Sequence, residues 1–265
     1  CASSWAEYLD VSNLTRLEYL NCSGNEMGRL NISNLRNLTH FICYNCELNE
    51  LNLSKATELE YLDIEYNRLF NINLKNLSKL EYLNCSDNYL KELDVSSLKE
   101  LRYLNISYSE LENFDISSLN NLDSFVYNGT DLKKLDIANS PISFLDISNS
   151  RLWEFLSLKN LNNREEIKGD ECPKLKYICT DPNLLGLVES EFDDVPFLTI
   201  DTLCTSSSGG TFYTLEGQAQ FDINNDGCDD LDIAFPNLKL KIINAVDTGY
   251  LISGVDGNFS ILLHS

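Results

Sequence analysis

Hydrophobic positions in the first half of this chain recur on a fixed step of 21 residues. Segments beginning at Leu9, Leu30, Leu51, Ile72, Leu93 and Phe114 superimpose on the pattern L-x-[VIL]-S-x-L-x-x-L-x-x-L-x-[CI]-x-x-N-x-L-x-x. In the second half of each unit the apolar residues alternate with polar ones, which predicts a short strand with its intervening side chains facing outward. The opening L-x-[VIL]-S-x-L also begins with alternation and is too short for a helix, so extended or 3₁₀ segments are expected there. A unit of this length cannot enclose its own core, and its leucines are buried only if successive copies stack.

The strand half of the unit matches the leucine-rich-repeat signature, with Leu17-Leu20-Cys22-Asn25-Met27 and Leu80-Leu83-Cys85-Asn88-Leu90 as two copies. The expected fold is therefore a leucine-rich-repeat solenoid, mainly β with short 3₁₀ or extended convex segments, over residues 1–200. Further along, PISFLDISNSRLWEF (141–155) keeps the strand core but slips by one residue. LSLKNL (156–161) is followed by a charged insert, NNREEIKGDE, and then by CPKLKYICTD (172–181), read as the start of a C-terminal cap over 172–200. Residues 201–210, with the run Ser206-Ser207-Ser208-Gly209-Gly210, read as a linker. Four strand-like stretches in 211–265 predict an incomplete β-sandwich of immunoglobulin size.

Columns of the repeat separate packing from display. The inward column after the second strand leucine holds Cys1, Cys22, Cys43, Ile64, Cys85 and Ile106, and the interchange of Cys with Ile marks small buried side chains. Cys43 and Cys46 have the C-x-x-C spacing of a metal site, but Cys46 stands in the column of Asn25, Asn67 and Asn88, and both are read as structural. Those asparagines are expected to bond backbone groups in the turn leaving the strand and to form a ladder. The outward, concave columns are where a ligand would bind. They carry Tyr19, His40, Tyr61, Tyr82 and Tyr103 in one file, Asp63 in the next and Tyr44 in a third. Tyrosines on rigid strands lose little entropy on binding and offer both a ring and a hydroxyl; equally, Tyr favours strands and stacks with itself. The recurring N-x-S/T triplets at Asn13, Asn21, Asn31, Asn84 and Asn105 follow from the repeat pattern itself.

The net charge of −21 disfavours nucleic acid and anionic lipid as partners, and no apolar stretch is long enough to insert in a bilayer. The two histidines, His40 and His264, lie in no catalytic motif, phosphate-binding glycine loops are missing, and the carboxylates sit on repetitive surfaces. The chain is accordingly read as a non-enzyme. The expected function is an extracellular or cell-surface binding or adhesion scaffold, taking a protein or glycan ligand on the concave face. The alternative is an architectural spacer that displays another domain. Because it opens halfway through a repeat without an initiator Met, the chain is read as a monomeric module of a larger precursor.

In the second module, DINNDGCDDLDI (222–233) places Asp222, Asn224, Asp226 and Gly227 as the opening of a calcium loop. Alternate oxygen ligands suit Ca²⁺, with the Cys228 carbonyl as the backbone ligand. Position 12 is Ile233 rather than Glu, so Asp230 or Asp232 would have to complete the sphere of a structural Ca²⁺. Cys172 with Cys179, and Cys204 with Cys228, lie outside the core column; each pair is either a disulfide or two buried thiols.

The unit L-[DN]-[VIL]-S-x-L-x-x-L-x-Y-L-x-C-x-x-N-x-L, closed by CPKLKYICTDP, resembles the leucine-rich-repeat surface proteins of the Bacteroidetes, which look like distant relatives of internalins. The segment YTLEGQAQFDINNDGCDDLDIAFPNLKLKI resembles the domain that follows the repeats in those proteins, and is similar to the calcium-binding B-type domains of staphylococcal Ser-Asp-repeat adhesins. The resemblance implies export by the type IX secretion system, with a sorting domain beyond Ser265. It also implies the calcium ligands already named. Asp201-Thr202-Leu203 resembles the D-[ST]-[hydrophobic] sequon for O-glycosylation in these bacteria.

Overall fold

The computed structural model describes residues 6–129, 134–137, 140–151, 155–158, 166–195, 198–202, 212–221, 233–243 and 248–264. Each 21-residue unit yields one three-residue strand: β1 (Tyr19–Asn21), β2 (His40–Ile42), β3 (Tyr61–Asp63), β4 (Tyr82–Asn84), β5 (Tyr103–Asn105) and β6 (Ser124–Val126). Next come β7 (Lys134–Asp136), β8 (Phe144–Asp146), β9 (Phe155–Leu158), β10 (Glu166–Lys168) and β11 (Tyr177–Thr180), then α1 (Leu185–Glu191) and β12 (Thr199–Asp201). The fold is a parallel leucine-rich-repeat solenoid.

The chain divides into two compact units, between which residues 133–170 alternate. In the first, β1 to β6, β8 and β10 form one parallel sheet of eight strands. Register follows the period, so that Tyr61 pairs with Tyr82, Leu62 with Leu83 and Asp63 with Asn84. The central residue of each strand (Leu20, Phe41, Leu62, Leu83, Leu104, Phe125, Leu145) points inward and is buried. The columns of Leu38, Leu59, Leu80 and Leu101, and of Leu35, Ala56, Leu77 and Leu98, close the core beside them. Burying such a side chain contributes about 1.5–3 kcal/mol, and here every rung repeats the gain. The strands stay short because the backbone turns immediately after them. Gly24, Asn45, Tyr66, Asp87, Tyr108 and Gly129, one per rung, all take φ between +52° and +68°. Gly, Asn and Asp tolerate that left-handed geometry, whereas Tyr66 and Tyr108 hold it at a cost in strain.

The L-x-[VIL]-S-x-L segments fold as sequence predicts for the first six repeats. Leu35 N–H donates to the Ile32 carbonyl at 3.0 Å and Leu38 N–H to the Leu35 carbonyl at 3.3 Å, two successive i→i+3 turns. An Asx bond precedes them: Asn31 Oδ1 accepts the Ser33 N–H at 3.0 Å, as Asp94 Oδ1 does that of Ser96. From residue 134 onward the equivalent positions become strands, and β7, β9, β11 and β12 pair in parallel in the second unit. NNREEIKGDE is therefore not a simple insert, because Glu166–Lys168 within it is β10, paired with β8. Likewise Ile178 of CPKLKYICTD pairs with Leu156, continuing the file of β9.

The second unit also holds α1, whose Leu185 and Val188 are buried. The strands expected in 211–265 are present: β13 (Phe212–Gln218), β14 (Gln220–Phe221), β15 (Ile233–Ala234), β16 (Lys239–Ile243), β17 (Thr248–Ile252) and β18 (Asn258–His264). Instead of a sheet apart, β17 pairs antiparallel with β12 through Ile200–Ile252, and β16 pairs with β17. Of the 201–210 segment read as a linker, Asp201 is the last residue of β12 and Thr202 is buried, while 203–210 lie outside the described residues. Elsewhere β13 pairs with β18, and β14 with β15.

Candidate functional site

On the outward face of the eight-stranded sheet, the first residue of each of β1 to β5 carries a ring. Parallel in-register pairing stacks side chains of one column directly above one another. Tyr61 and Tyr82 stack with centroids 4.1 Å apart at 6°, and Tyr82 and Tyr103 at 4.4 Å and 4°. His40 stacks on Tyr61 at 5.7 Å, and Tyr19 tilts against His40 at 6.0 Å. The result is one ladder of five rings, with Ser124 in the next position of the column. Because the faces press on each other, ring edges and hydroxyls are what meet solvent. His40 Nδ1 lies 3.0 Å from Thr39 Oγ1, whose hydroxyl donates to the Glu18 carbonyl, and this fixes the imidazole.

Beside the ladder runs the column of Asn21, Asp63, Asn84, Asn105 and Asp146. Each of these accepts the N–H two residues on with its Oδ1, at 3.1 Å from Ser23, 3.2 Å from Glu65 and 3.0 Å from Ser107 for Asn21, Asp63 and Asn105. The N-x-S triplets at Asn21, Asn31, Asn84 and Asn105 are thus turn devices of the repeat. Burial raises the pKa of the Asp63 carboxyl and outweighs the opposing Glu65 N–H bond, with a smaller further push from the Glu65 charge. Burial likewise raises the hydroxyls of Tyr82 and Tyr103, so both remain neutral donors across the physiological range. Glu65 accepts the Asn84 amide at 2.9 Å, and burial and the Glu65 charge together raise Asp87. The middle of the face is acidic and rich in hydroxyls.

The structure therefore joins six of the seven candidate residues: Tyr19, His40, Tyr61, Tyr82 and Tyr103 in contact, with Asp63 in the adjoining column. Tyr44 stands apart, two residues beyond its strand and exposed. The candidate calcium ligands Asp222, Asn224, Asp226, Cys228, Asp230 and Asp232 lie outside the described residues. The strands on either side do pair, Phe221 opposite Ile233, which makes the twelfth position of that loop a strand residue rather than a ligand.

One cysteine expectation is revised. Cys172 is a thiol that donates to the Asp170 carbonyl, whereas Cys179 is in a disulfide, so these two are not bridged. Cys204 and Cys228 lie outside the described residues. The glycosylation sequon is also closed off in the folded chain. Thr202 is buried, and its hydroxyl oxygen accepts the Tyr250 N–H at 2.7 Å while donating to the Tyr250 carbonyl.

One feature escaped the sequence reading. A cleft of about 450 Å³ lies along the turn side of the repeats, lined by Tyr66, Tyr89, Tyr108, Asp87, Arg68 and Glu110 among others. The signal was present in the column that reads Gly, Asn, Tyr, Asp, Tyr, Gly, where two tyrosines occupy positions that require a left-handed backbone.

No protein-family model matches this chain, and no curated protein does. Among solved structures, the functional domain of InlJ from Listeria monocytogenes, described as including a cysteine ladder, is similar with a TM-score of 0.54 and 24% identity. That match covers 65% of this chain and 41% of InlJ, so the chain spans well under half of that neighbour's length. Internalin C2 of the same species aligns with a TM-score of 0.46 and 23% identity, covering 60% of this chain and 64% of that one. The likeness to InlJ is one of fold.

Proposed function

We propose that this chain is a non-catalytic binding scaffold of the cell surface or extracellular space that captures a protein or glycan ligand on the outward face of its eight-stranded sheet. The observation that carries the proposal is the ring ladder of Tyr19, His40, Tyr61, Tyr82 and Tyr103. It is rigid, in register, and placed on the side of the strands that the fold does not need for its core. Stacked rings offer edges and hydroxyls rather than faces, which favours a protein surface with hydrogen-bond donors over a sugar laid flat on an aromatic. The neighbouring Asp63 and Glu65 supply acceptors, and the neutral hydroxyls of Tyr82 and Tyr103 can both donate and accept.

The test is capture of ligand by the whole chain, in a protein pull-down and on a glycan array, with and without the double substitution Tyr61→Ala, Tyr82→Ala. Capture should fall at least about tenfold, as for the loss of a binding hot spot, while the fold is retained. Unchanged capture overturns the proposal. The self-contact of the rings favours a second reading, in which the ladder only stiffens a spacer that presents another domain. A spacer would be silent in both screens. For the second module we propose a structural Ca²⁺ in the 222–232 loop, supported by the pairing of β14 with β15 at its two ends. A chelator should then lower the melting temperature, and an unchanged melting curve rules the ion out.

A further inference from the structure

The inner face of the first two rungs carries chemistry that packing does not need. Cys22 and Cys43 stand one above the other in the inward column where Ile64 and Ile106 stand further along. Taken alone they would be two small buried side chains in a file. Cys46 changes this, because it comes from a different column, the one otherwise filled by Asn25, Asn67 and Asn88. There the side chain turns back under the strand: Asn67 Nδ2 donates to the carbonyls of Cys43 and Ile64, at 2.7 and 2.9 Å. A cysteine in that position brings its sulfur to the two sulfurs of the inward column. All three Sγ atoms lie within 4.8 Å of one another, and all three residues are fully buried. Among the described residues this is the one group of three or more His, Cys, Asp or Glu side chains with converging ligand atoms.

We infer that Cys22, Cys43 and Cys46 form a buried three-sulfur site for a thiophilic d¹⁰ cation, of which monovalent copper fits best. Three observations support this. First, the spacing suits it, since metal–sulfur bonds of about 2.3 Å in a three-coordinate site set the sulfurs about 4 Å apart, within rotamer adjustment of the present arrangement. Second, the donor set is all sulfur and sealed from water, which selects soft ions and excludes Ca²⁺ and Mg²⁺. Zinc sites take four ligands, and three sulfurs in a dry pocket offer one too few. Third, the Cys22 carbonyl oxygen lies 3.2 Å from the Cys46 sulfur, a contact that suits a thiol proton or a cation bound in its place. Each sulfur that binds as thiolate gives its proton to solvent, so occupancy rises with pH.

The repeat supplies its own folding-safe variants. Cys46→Asn restores the residue of three other rungs, and Cys43→Ile and Cys85→Ile install the residue of Ile64 and Ile106. The reduced, intact chain is loaded anaerobically with Cu(I) as a labile acetonitrile complex, then challenged with a Cu(I)-specific chelator, while near-ultraviolet sulfur-to-copper absorption is followed. Wild type and Cys85→Ile should each retain one equivalent. Cys46→Asn and Cys43→Ile should retain one equivalent less, with circular dichroism like that of wild type. Surrender of all copper by wild type overturns the proposal. So does retention of the same equivalent by both cluster variants, and if one of them misfolds the other decides alone.

Discussion

Two files of side chains run along the same strands, one beneath the sheet and one above it, and they are held in different ways. Beneath, Asn67 donates to three carbonyls and accepts the Cys46 and Leu48 N–H groups at 3.2 and 2.9 Å. Asn88 likewise donates to the Ile64, Cys85 and Ser86 carbonyls and accepts from Leu69. Each inner asparagine stitches one rung to the next through backbone groups that have no access to water. Above, the rings of Tyr61, Tyr82 and Tyr103 touch mainly one another. The inner ladder is thus part of the fold, whereas the outer one rides on it and is available to a partner. Both files have the same 21-residue spacing, and only their bonding distinguishes a structural column from a displayed one.

Substitutions should break this contrast in graded fashion. Leu83→Ala, at a fully buried strand centre, should destabilise the chain by about 2–5 kcal/mol in denaturant unfolding, the usual range for a core leucine. Asn67→Ala should cost about 1–3 kcal/mol, because it strands buried donors and acceptors in two rungs at once; a loss no larger than that of an exposed polar residue would remove the inner ladder from the fold's essential parts. Asp63→Asn tests the boundary between the files. Burial raises the Asp63 carboxyl, so the folded chain keeps that proton to higher pH than the unfolded one, and ionisation costs stability. The cost is absent below the ordinary carboxylate range and complete above the raised folded value. Asn preserves the turn bond, as Asn84 and Asn105 do in the same column. The variant should therefore melt higher than wild type at neutral pH and alike in acid. Smallest of all, Arg29→Ala should leave the melting curve within error of wild type. Its 3.1 Å pair with Glu50 is exposed, and such pairs contribute about 0–1 kcal/mol.

Much of this was legible in the sequence. Leucines at a strict interval gave the stacked rungs, the alternation around Leu62 and Leu83 gave inside and outside, and Asn67 and Asn88 announced a ladder. The Asx turns were written in the N-x-S triplets, although their bonding became visible only when Asn21 Oδ1 met the Ser23 N–H. The signal faded where the period slipped. Glu166–Lys168 has little apolar content, so its strand is recruited by β8 rather than proposed by its own composition. Tyr66 and Tyr108 by themselves disfavour a left-handed backbone, and only the Gly, Asn and Asp that share their column signal it, because the neighbouring rungs impose the turn.

The sequence by itself determined the repeat, its register and which residues face in or out, because a fixed period leaves only one way to stack copies that share a core. Three things waited for the tertiary structure: the convergence of Cys46 with Cys22 and Cys43, the ring-on-ring contact that hides the tyrosine faces, and the burial of Thr202 against Tyr250. Each depends on a distance between segments far apart in the chain: between two columns for the cysteines, between rungs of one column for the rings, and between β12 and β17 for Thr202. That distance is set by how the chain turns after the strand and how closely the rungs approach, and a one-dimensional pattern does not contain it.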